Sequence, residues 1–354
     1  MMRLPLRLLT VFTFALVLSA CDLPYYWQAA QGQLSLVNQR QSIDEIIAAP
    51  STPDSLKAKL RYLLRAREFA LQQLDMPENK SYLTYVDLGR DHVVWNVFAT
   101  HELSMANQTW CYPIAGCVSY RGYFSENDAK RFADDLEQQG YDTYVGGVGA
   151  YSTLGWFEDS VLNTFISRSD TALAGLLFHE LAHQTLYVKN DTQFNESYAS
   201  AVEQILLQQW LMQSPDQWQA YLTGKARHDA FSKMVIKNKH QRETLFESNL
   251  PDEQKRAQKS QLQRSLMEEY QQFKHDWQFD GYDNWFAKGL NNAQLSTVAT
   301  YNELLPGFLA LYGKSEQNLH NFIQASVALS QKDKSERHQQ LKQLASKNIV
   351  YTEK

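Results

Sequence analysis

His179-Glu180-Leu181-Ala182-His183 decides how this chain is read. On a helix, residues four apart stack on one face, so the two imidazoles can reach the same point in space. One divalent ion can be held there, with Glu180 alongside to take a proton from a water on the ion. Residue types and spacing together point to hydrolysis of peptide bonds with one Zn²⁺ as cofactor. The stretch needs a helix, and Asp170-Thr171-Ala172-Leu173-Ala174-Gly175-Leu176-Leu177-Phe178 runs straight into it, with Ser169 or Asp170 available as N-cap. Apolar residues flank both histidines, and a dry wall limits competition from solvent for the ion. The alternative is a buried structural helix that carries two histidines by chance.

A catalytic zinc takes three protein ligands and keeps one position for water. The third should come from a neighbouring element. A second helix is predicted over about 194–213, carrying Glu196 and, seven residues later, Glu203 on the same side. The polar turn Lys189-Asn190-Asp191-Thr192-Gln193 would fold it back along the first helix. Glu196, in the first turn and nearest the crossing, is the expected ligand. Glu203 is expected as an acid behind the ligands or as an alternative ligand.

His179-Glu180-Leu181-Ala182-His183-Gln184, followed by Asn195-Glu196-Ser197-Tyr198-Ala199 and Val202-Glu203, resembles the gluzincin metallopeptidases. Their aminopeptidase branch has H-E-L-A-H-Q followed by N-E-G-F-A and a later V-E or M-E. The resemblance implies Glu196 as third zinc ligand. It departs in spacing, because twelve residues separate His183 from Glu196 here and that branch has several more. The thermolysin-like branch reads N-E-A-x-x-D, and Ser200 stands where its Asp would be, so the acid orienting the first histidine is not assigned by analogy. Most of the mature chain also resembles a bacterial family of predicted zinc aminopeptidases found as lipoproteins or secreted proteins. The shared stretches are Tyr120-Arg121-Gly122-Tyr123-Phe124, Val148 to Phe157, the His179 motif, Phe194-Asn195-Glu196-Ser197 and Leu290-Asn291-Asn292-Ala293.

The start of the chain speaks for export. Arg3 and Arg7 precede an apolar run from Leu8 to Leu18, too short to span a bilayer comfortably, and Ser19-Ala20-Cys21 follows. Leu18-Ser19-Ala20-Cys21 resembles a bacterial lipobox, which implies a signal peptide over 1–20 and a diacylglycerol on Cys21. Acyl chains would then hold a periplasmic domain to the membrane. Asp22 resembles an inner-membrane retention signal. A plain secretory signal or an uncleaved anchor is the alternative. Cys111 and Cys117 bracket a turn-rich stretch, and an oxidising compartment favours a disulfide closing that small loop. The net charge of −5 over 354 residues offers no electrostatic case for nucleic acid.

The expected fold is α+β and zincin-like: a small mixed sheet over the zinc-binding helices, with a mostly helical C-terminal half. Residues 21–50 read as a tether leading into an early helix. Residues 51–354 read as one metallopeptidase domain, with an α/β upper part over 51–165 and a helical part over 166–354. Helices are predicted from Pro53 to about Leu74 and from Ser125 to about Gln139. Strands are predicted at 82–86, 93–98, 117–120, 143–145 and 149–154, and a solvated helical hairpin over 224–278.

The peptide substrate is expected along Gly149, Ala150 and Tyr151, where a strand edge could pair with an extended backbone and glycine permits close approach. A structural bulge of small residues explains the same stretch equally well. Glu158 stands in for the acid that binds the free amine in the aminopeptidase branch, whose G-A-M-E-N strand is missing here. Gluzincins stabilise the oxyanion with a Tyr or His from a later helix. Tyr301 resembles such a residue, Tyr282 and Tyr270 also lie downstream, and a core tyrosine is the plainer reading of Tyr301. A zinc endopeptidase and a low-turnover peptide-binding envelope lipoprotein are the competing functions.

Overall fold

The computed structural model describes residues 23–112, 116–150, 158–298 and 303–352, with side chains to residue 346. Cys21, Asp22, Tyr151 and Tyr301 therefore lie outside the described residues. The architecture is mixed α and β: among the described residues, strands and helices alternate before residue 163 and only helices follow.

Residues 21–50, read as a tether, begin instead with helix α1 (Leu23–Asn38), the short strand β1 (Gln41–Ser42) and helix α2 (Ile43–Ala48). Ile43 and Ile46 bury on α3 (Asp54–Gln73), whose own Leu60, Leu63, Ala66 and Ala70 recur at helical spacing. The expected single sheet is three small ones. β1, β2 (Thr84–Val86) and β8 (Val161–Leu162) form a mixed sheet, with β2 antiparallel to β1 and parallel to β8. It stays short because the chain turns into α5 (Asn163–Ile166) at once. Asn163 ties that corner, accepting from Leu88 N at 2.9 Å and donating to the Arg90 carbonyl at 3.0 Å.

The larger sheet is antiparallel, in the order β6 (Arg121–Tyr123), β3 (Val94–His101), β7 (Tyr141–Val148). Its buried side, Trp95, Val97, Ala99 and Tyr123, packs on Ala129, Ala133 and Leu136 of α4 (Glu126–Gln138). The strand expected at 143–145 is part of the longer β7, whose ladder with β3 runs unbroken from His101↔Tyr141 to Val94↔Val148. Of the strand expected at 149–154, Gly149 and Ala150 fall outside β7, and 151–154 lie outside the described residues. β4 (Trp110–Tyr112) and β5 (Gly116–Val118) form a hairpin in which Cys111 and Cys117 face each other and are joined as a disulfide.

Below the sheets, α6 (Asp170–Thr185) and α7 (Thr192–Trp210) pack against α3 and against α12 (Leu305–Lys314), α13 (Leu319–Ser330) and α14 (Lys334–Thr352) in the main apolar core. The region expected as a solvated hairpin is a hairpin, α8 (Pro215–Glu247) and α9 (Asp252–Trp277), but it has a core of its own. Phe231 and Val235 meet Leu266, Tyr270 and Phe273, and α10 (Asp283–Phe286) and α11 (Asn292–Thr297) close the seam with Phe286 and Leu295. Those residues recur every three or four positions, an apolar stripe that long charged stretches between them obscure.

Candidate metal centre

The helix that carries both histidines starts at Ser169, whose Oγ accepts from Ala172 N at 3.3 Å. Leu173, Ala174, Leu177, Phe178, Leu181 and Ala182 bury its inner side, which turns residues 179 and 183 toward α7. The rings of His179 and His183 lie 4.9 Å apart, as one helical turn dictates.

The turn between α6 and α7 is closed by side chains. Asn195 donates to the Val188 carbonyl and accepts from Val188 N, both at 2.8 Å, so one amide group pins the turn to the first coil of α7. Asp191 caps α7 by accepting from Phe194 N at 3.3 Å. Its fully buried carboxylate also receives Arg337 Nε at 2.7 Å and lies 2.9 Å from His338 Nε2. α14 thus grips the start of the helix that carries Glu196. Further along, Gly175 lets the helices approach closely, since a Cβ there would stand 3.1 Å from Glu203 Oε1 and 3.1 Å from a Leu207 methyl.

These contacts bring three expected residues together. His179 Nε2 lies 3.2 Å from Glu196 Oε2, and His183 Nε2 lies 3.7 Å from Glu196 Oε1. One ligand atom from each of the three falls within 4.8 Å of the others. A tetrahedral zinc with bonds of about 2.1 Å sets its ligands roughly 3.4 Å apart, so the separations and the donor set of two imidazoles and a carboxylate fit such an ion. Glu203 stands behind them, its Oε2 3.3 Å from His179 Nδ1. That contact leaves His179 Nε2 as the nitrogen facing Glu196.

The electrostatics of the cluster follow from these contacts. Burial works against charge on His179, but hydrogen bonds to Glu196 and Glu203 outweigh it and raise its pKa to about 10. His183 moves the other way, down to about 4, through burial and then the charge on His179. Burial also opposes ionisation of Glu196, yet the His179 hydrogen bond and the charges of both histidines hold it below the usual carboxylate range.

Glu180 faces a small pocket walled by Leu63, Tyr82, Ala150, Phe165, Leu176 and Leu177. Ala150 therefore sits beside the expected base. The Gly149 carbonyl is taken by the Thr164 hydroxyl, so that group is already engaged. Among the described residues, β7 is an edge strand of its sheet. Glu158 is exposed, with its carboxylate 3.7 Å from Lys80. Tyr270 and Tyr282 belong to the second core, Tyr270 donating to Asp283 at 2.6 Å and Tyr282 stacked on Phe231 at 3.9 Å between ring centres.

Three further tyrosines, Tyr82, Tyr120 and Tyr187, lie near the cluster. Burial, and then the charge of Glu196, raise the hydroxyl pKa of Tyr120 and of Tyr187. Burial, and then the charges of Glu180 and Asp159, raise Tyr82 well above its ordinary value. Tyr82 also holds a left-handed backbone, φ 63°, fixed by its N–H on the Asp159 carbonyl at 2.6 Å. Such a conformation is uncommon for a bulky residue and clusters at functional sites. Tyr187 lies just past the end of α6, its ring 6.5 Å from that of His183, and closeness in sequence is the signal that could have found it. Tyr82 and Tyr120 reach the site only through the fold.

No curated protein and no solved structure matches this chain. The family model described as "Putative aminopeptidase" matches residues 24–341, nearly the whole of it, and the chain belongs to that family.

Proposed function

We propose that the protein is a zinc-dependent aminopeptidase of the bacterial cell envelope, a zincin-like domain held to the membrane by lipid on Cys21 and facing the periplasm, with Asp22 favouring the inner membrane. The family supports peptidase chemistry. The observation that carries the metal is the convergence of His179, His183 and Glu196, with Glu203 on the outer nitrogen of His179. Bound zinc polarises the scissile carbonyl and lowers the pKa of water toward ~7.

The chain's own groups do the rest. Glu180 accepts the proton of the attacking water and returns it to the leaving amine. The apolar wall beside it keeps bulk water from the reacting carbonyl. Among the described residues, Tyr120 and Tyr187, close enough to feel the Glu196 charge, can serve beside Tyr301 as donors to the oxyanion, a contribution of typically ~3 kcal/mol. An extended peptide backbone would pair along β7 toward Val148, since the Thr143 carbonyl is already taken by the Asn291 amide.

Metal analysis and a peptide-library cleavage profile of the purified protein test this reading. One zinc per chain and chelator-sensitive release of single N-terminal residues are expected, and undiminished cleavage after chelation sinks it. One observation favours an endopeptidase instead: Glu158 faces Lys80 at the surface, which weakens it as an amine anchor. Internal cuts in the same profile would select that reading.

Two further outcomes follow from the cluster. Near neutral pH His179 holds a proton that a metal must displace, whereas His183 is already neutral and Glu196 already ionised. Zinc uptake at pH 7 should release about one proton, and affinity should fall about tenfold per pH unit as pH drops from 8 to 5. Calorimetry in buffers of different ionisation enthalpy reads the proton directly. Glu203→Gln should weaken zinc binding by roughly 10–100-fold, the usual cost of losing such a partner. Its activity should return when zinc is saturating, as competition with a chromophoric chelator and parallel rate measurements would establish.

A further inference from the structure

Helix α1 is apolar on two sides. One side docks on the body of the protein. The ring of Tyr25 stacks on Tyr112 at 5.6 Å, and the Arg121 guanidinium lies 3.9 Å over it. Gln28 accepts from Phe124 N at 3.1 Å, and Leu36 is buried. The opposite side carries Leu23, Tyr26, Trp27 and Leu34, exposed by 63, 43, 65 and 59%. Offsets of three, four and eleven residues from Leu23 place them on one stripe. Among the described residues, four of the six large hydrophobic side chains singled out by their exposure lie on this stripe, so it is a patch and not scatter. No residue from 23 to 38 is charged. A helix apolar on both sides has its second side covered.

We propose that a lipid bilayer covers it: α1 lies in the headgroup region with Leu23, Tyr26, Trp27 and Leu34 turned into the lipid. The proposal rests on reading Cys21 as the acylated residue. Leu23 is the second residue after Cys21, a reach of at most ~7 Å, so a lipid on Cys21 holds the start of α1 at the membrane surface. Tyr and Trp suit that depth, where the ring is in apolar surroundings and the polar tip stays wet. No helix among the described residues is long and apolar enough to cross a membrane, so the contact is with the surface. A second copy of the chain would have to displace the lipid surface that the anchor brings to this stripe.

Leu34 tests the proposal because it lies eleven residues past Leu23, about 16 Å along the axis, beyond the pull of the acyl chains alone. The full-length protein is reconstituted into phosphatidylethanolamine–phosphatidylglycerol vesicles with Leu34→Cys carrying an environment-sensitive fluorophore. Met212→Cys, at a residue 78% exposed and elsewhere on the surface, is the control. The expected result is a blue shift at position 34 and quenching by brominated lipid severalfold stronger than at 212. Equal quenching at the two positions overturns the proposal. So does a shielded label at 34 in vesicle-free protein of doubled mass, which assigns the stripe to a second copy. Mass spectrometry of the N-terminal peptide reports the anchor separately. An acylated Cys21 with an unquenched label ends this proposal and spares the anchor. An unmodified Cys21 with a quenched label ends the anchor and leaves the stripe on the membrane by itself. Replacing Tyr26, Trp27 and Leu34 with Gln should abolish the quenching of a label at position 30 while leaving zinc content unchanged.

Discussion

Glu180→Gln should lower peptide hydrolysis by roughly 10²–10⁴-fold while the protein still binds one zinc. In barrier terms that is about 3–5 kcal/mol. The substitution keeps the volume of the side chain and the apolar wall of Leu63, Phe165, Leu176 and Leu177 around it. It removes the carboxylate's charge and with it the capacity to accept a proton. Zinc should stay because the ligand atoms come from His179, His183 and Glu196. The measurement is kcat/KM on the best peptide of the cleavage profile, with zinc content determined on the same sample. Retained turnover would remove Glu180 as the base. Loss of zinc would mean that Glu180 supports the metal instead. Glu203→Gln is the matched comparison, since it should cost zinc affinity and spare the turnover of the loaded enzyme.

Asp191→Ala should cost about 3–5 kcal/mol of stability, the largest loss expected from a single change outside the metal cluster. The carboxylate is fully buried and satisfies three groups at once: Arg337, His338 and the N–H of Phe194. Truncation strands a guanidinium in a nearly water-free site and removes the helix cap, and an unpaired buried charge outweighs the cap alone, which is worth about 1 kcal/mol. Denaturant unfolding of wild type, Asp191→Ala, Arg337→Leu and the double variant gives the coupling between the two residues. The double variant should be more stable than the sum of the single losses predicts. Strict additivity would show that the pair contributes nothing of its own. Because Asp191 caps the helix that bears Glu196, zinc affinity should fall in the alanine variant as well.

Much of the site was legible from local periodicity. His179 and His183 share a face because residues four apart on any helix do, and Ser169 is a good cap whatever surrounds it. The helices from Asp54, Glu126 and Asp170 begin within a residue or two of where capping and spacing put them. Strands were harder. Gly146, Gly147 and Gly149 break the alternation that marks a strand, yet β7 runs through the first two because β3 offers a continuous ladder of partners. The early stretch read as a tether is helical because its Tyr25 and Leu36 bury against parts of the chain far away in sequence. The hairpin over α8 and α9 hides its apolar seam among charges until Phe286 and Leu295 arrive to cover it.

What the residues determined unaided was a helix with two imidazoles on one face and a carboxylate beside them, framed by apolar residues, in an α+β chain with a mostly helical C-terminal half. Backbone geometry within a single helix is enough for that. The residues favoured Glu196 as ligand but left Glu203 open between an acid behind the ligands and an alternative ligand, and only the tertiary structure puts Glu196 against both imidazoles and Glu203 on His179 Nδ1. Two turns of α7 put both on one side, and which faces His183 and which backs His179 depends on the register of α7 against α6. The Asp191 clamp, the Asn195 bridge and the close approach at Gly175 set that register. The tyrosines at 82 and 120 likewise reach the cluster through long-range packing, and no spacing along the chain encodes a neighbour that arrives from a different element.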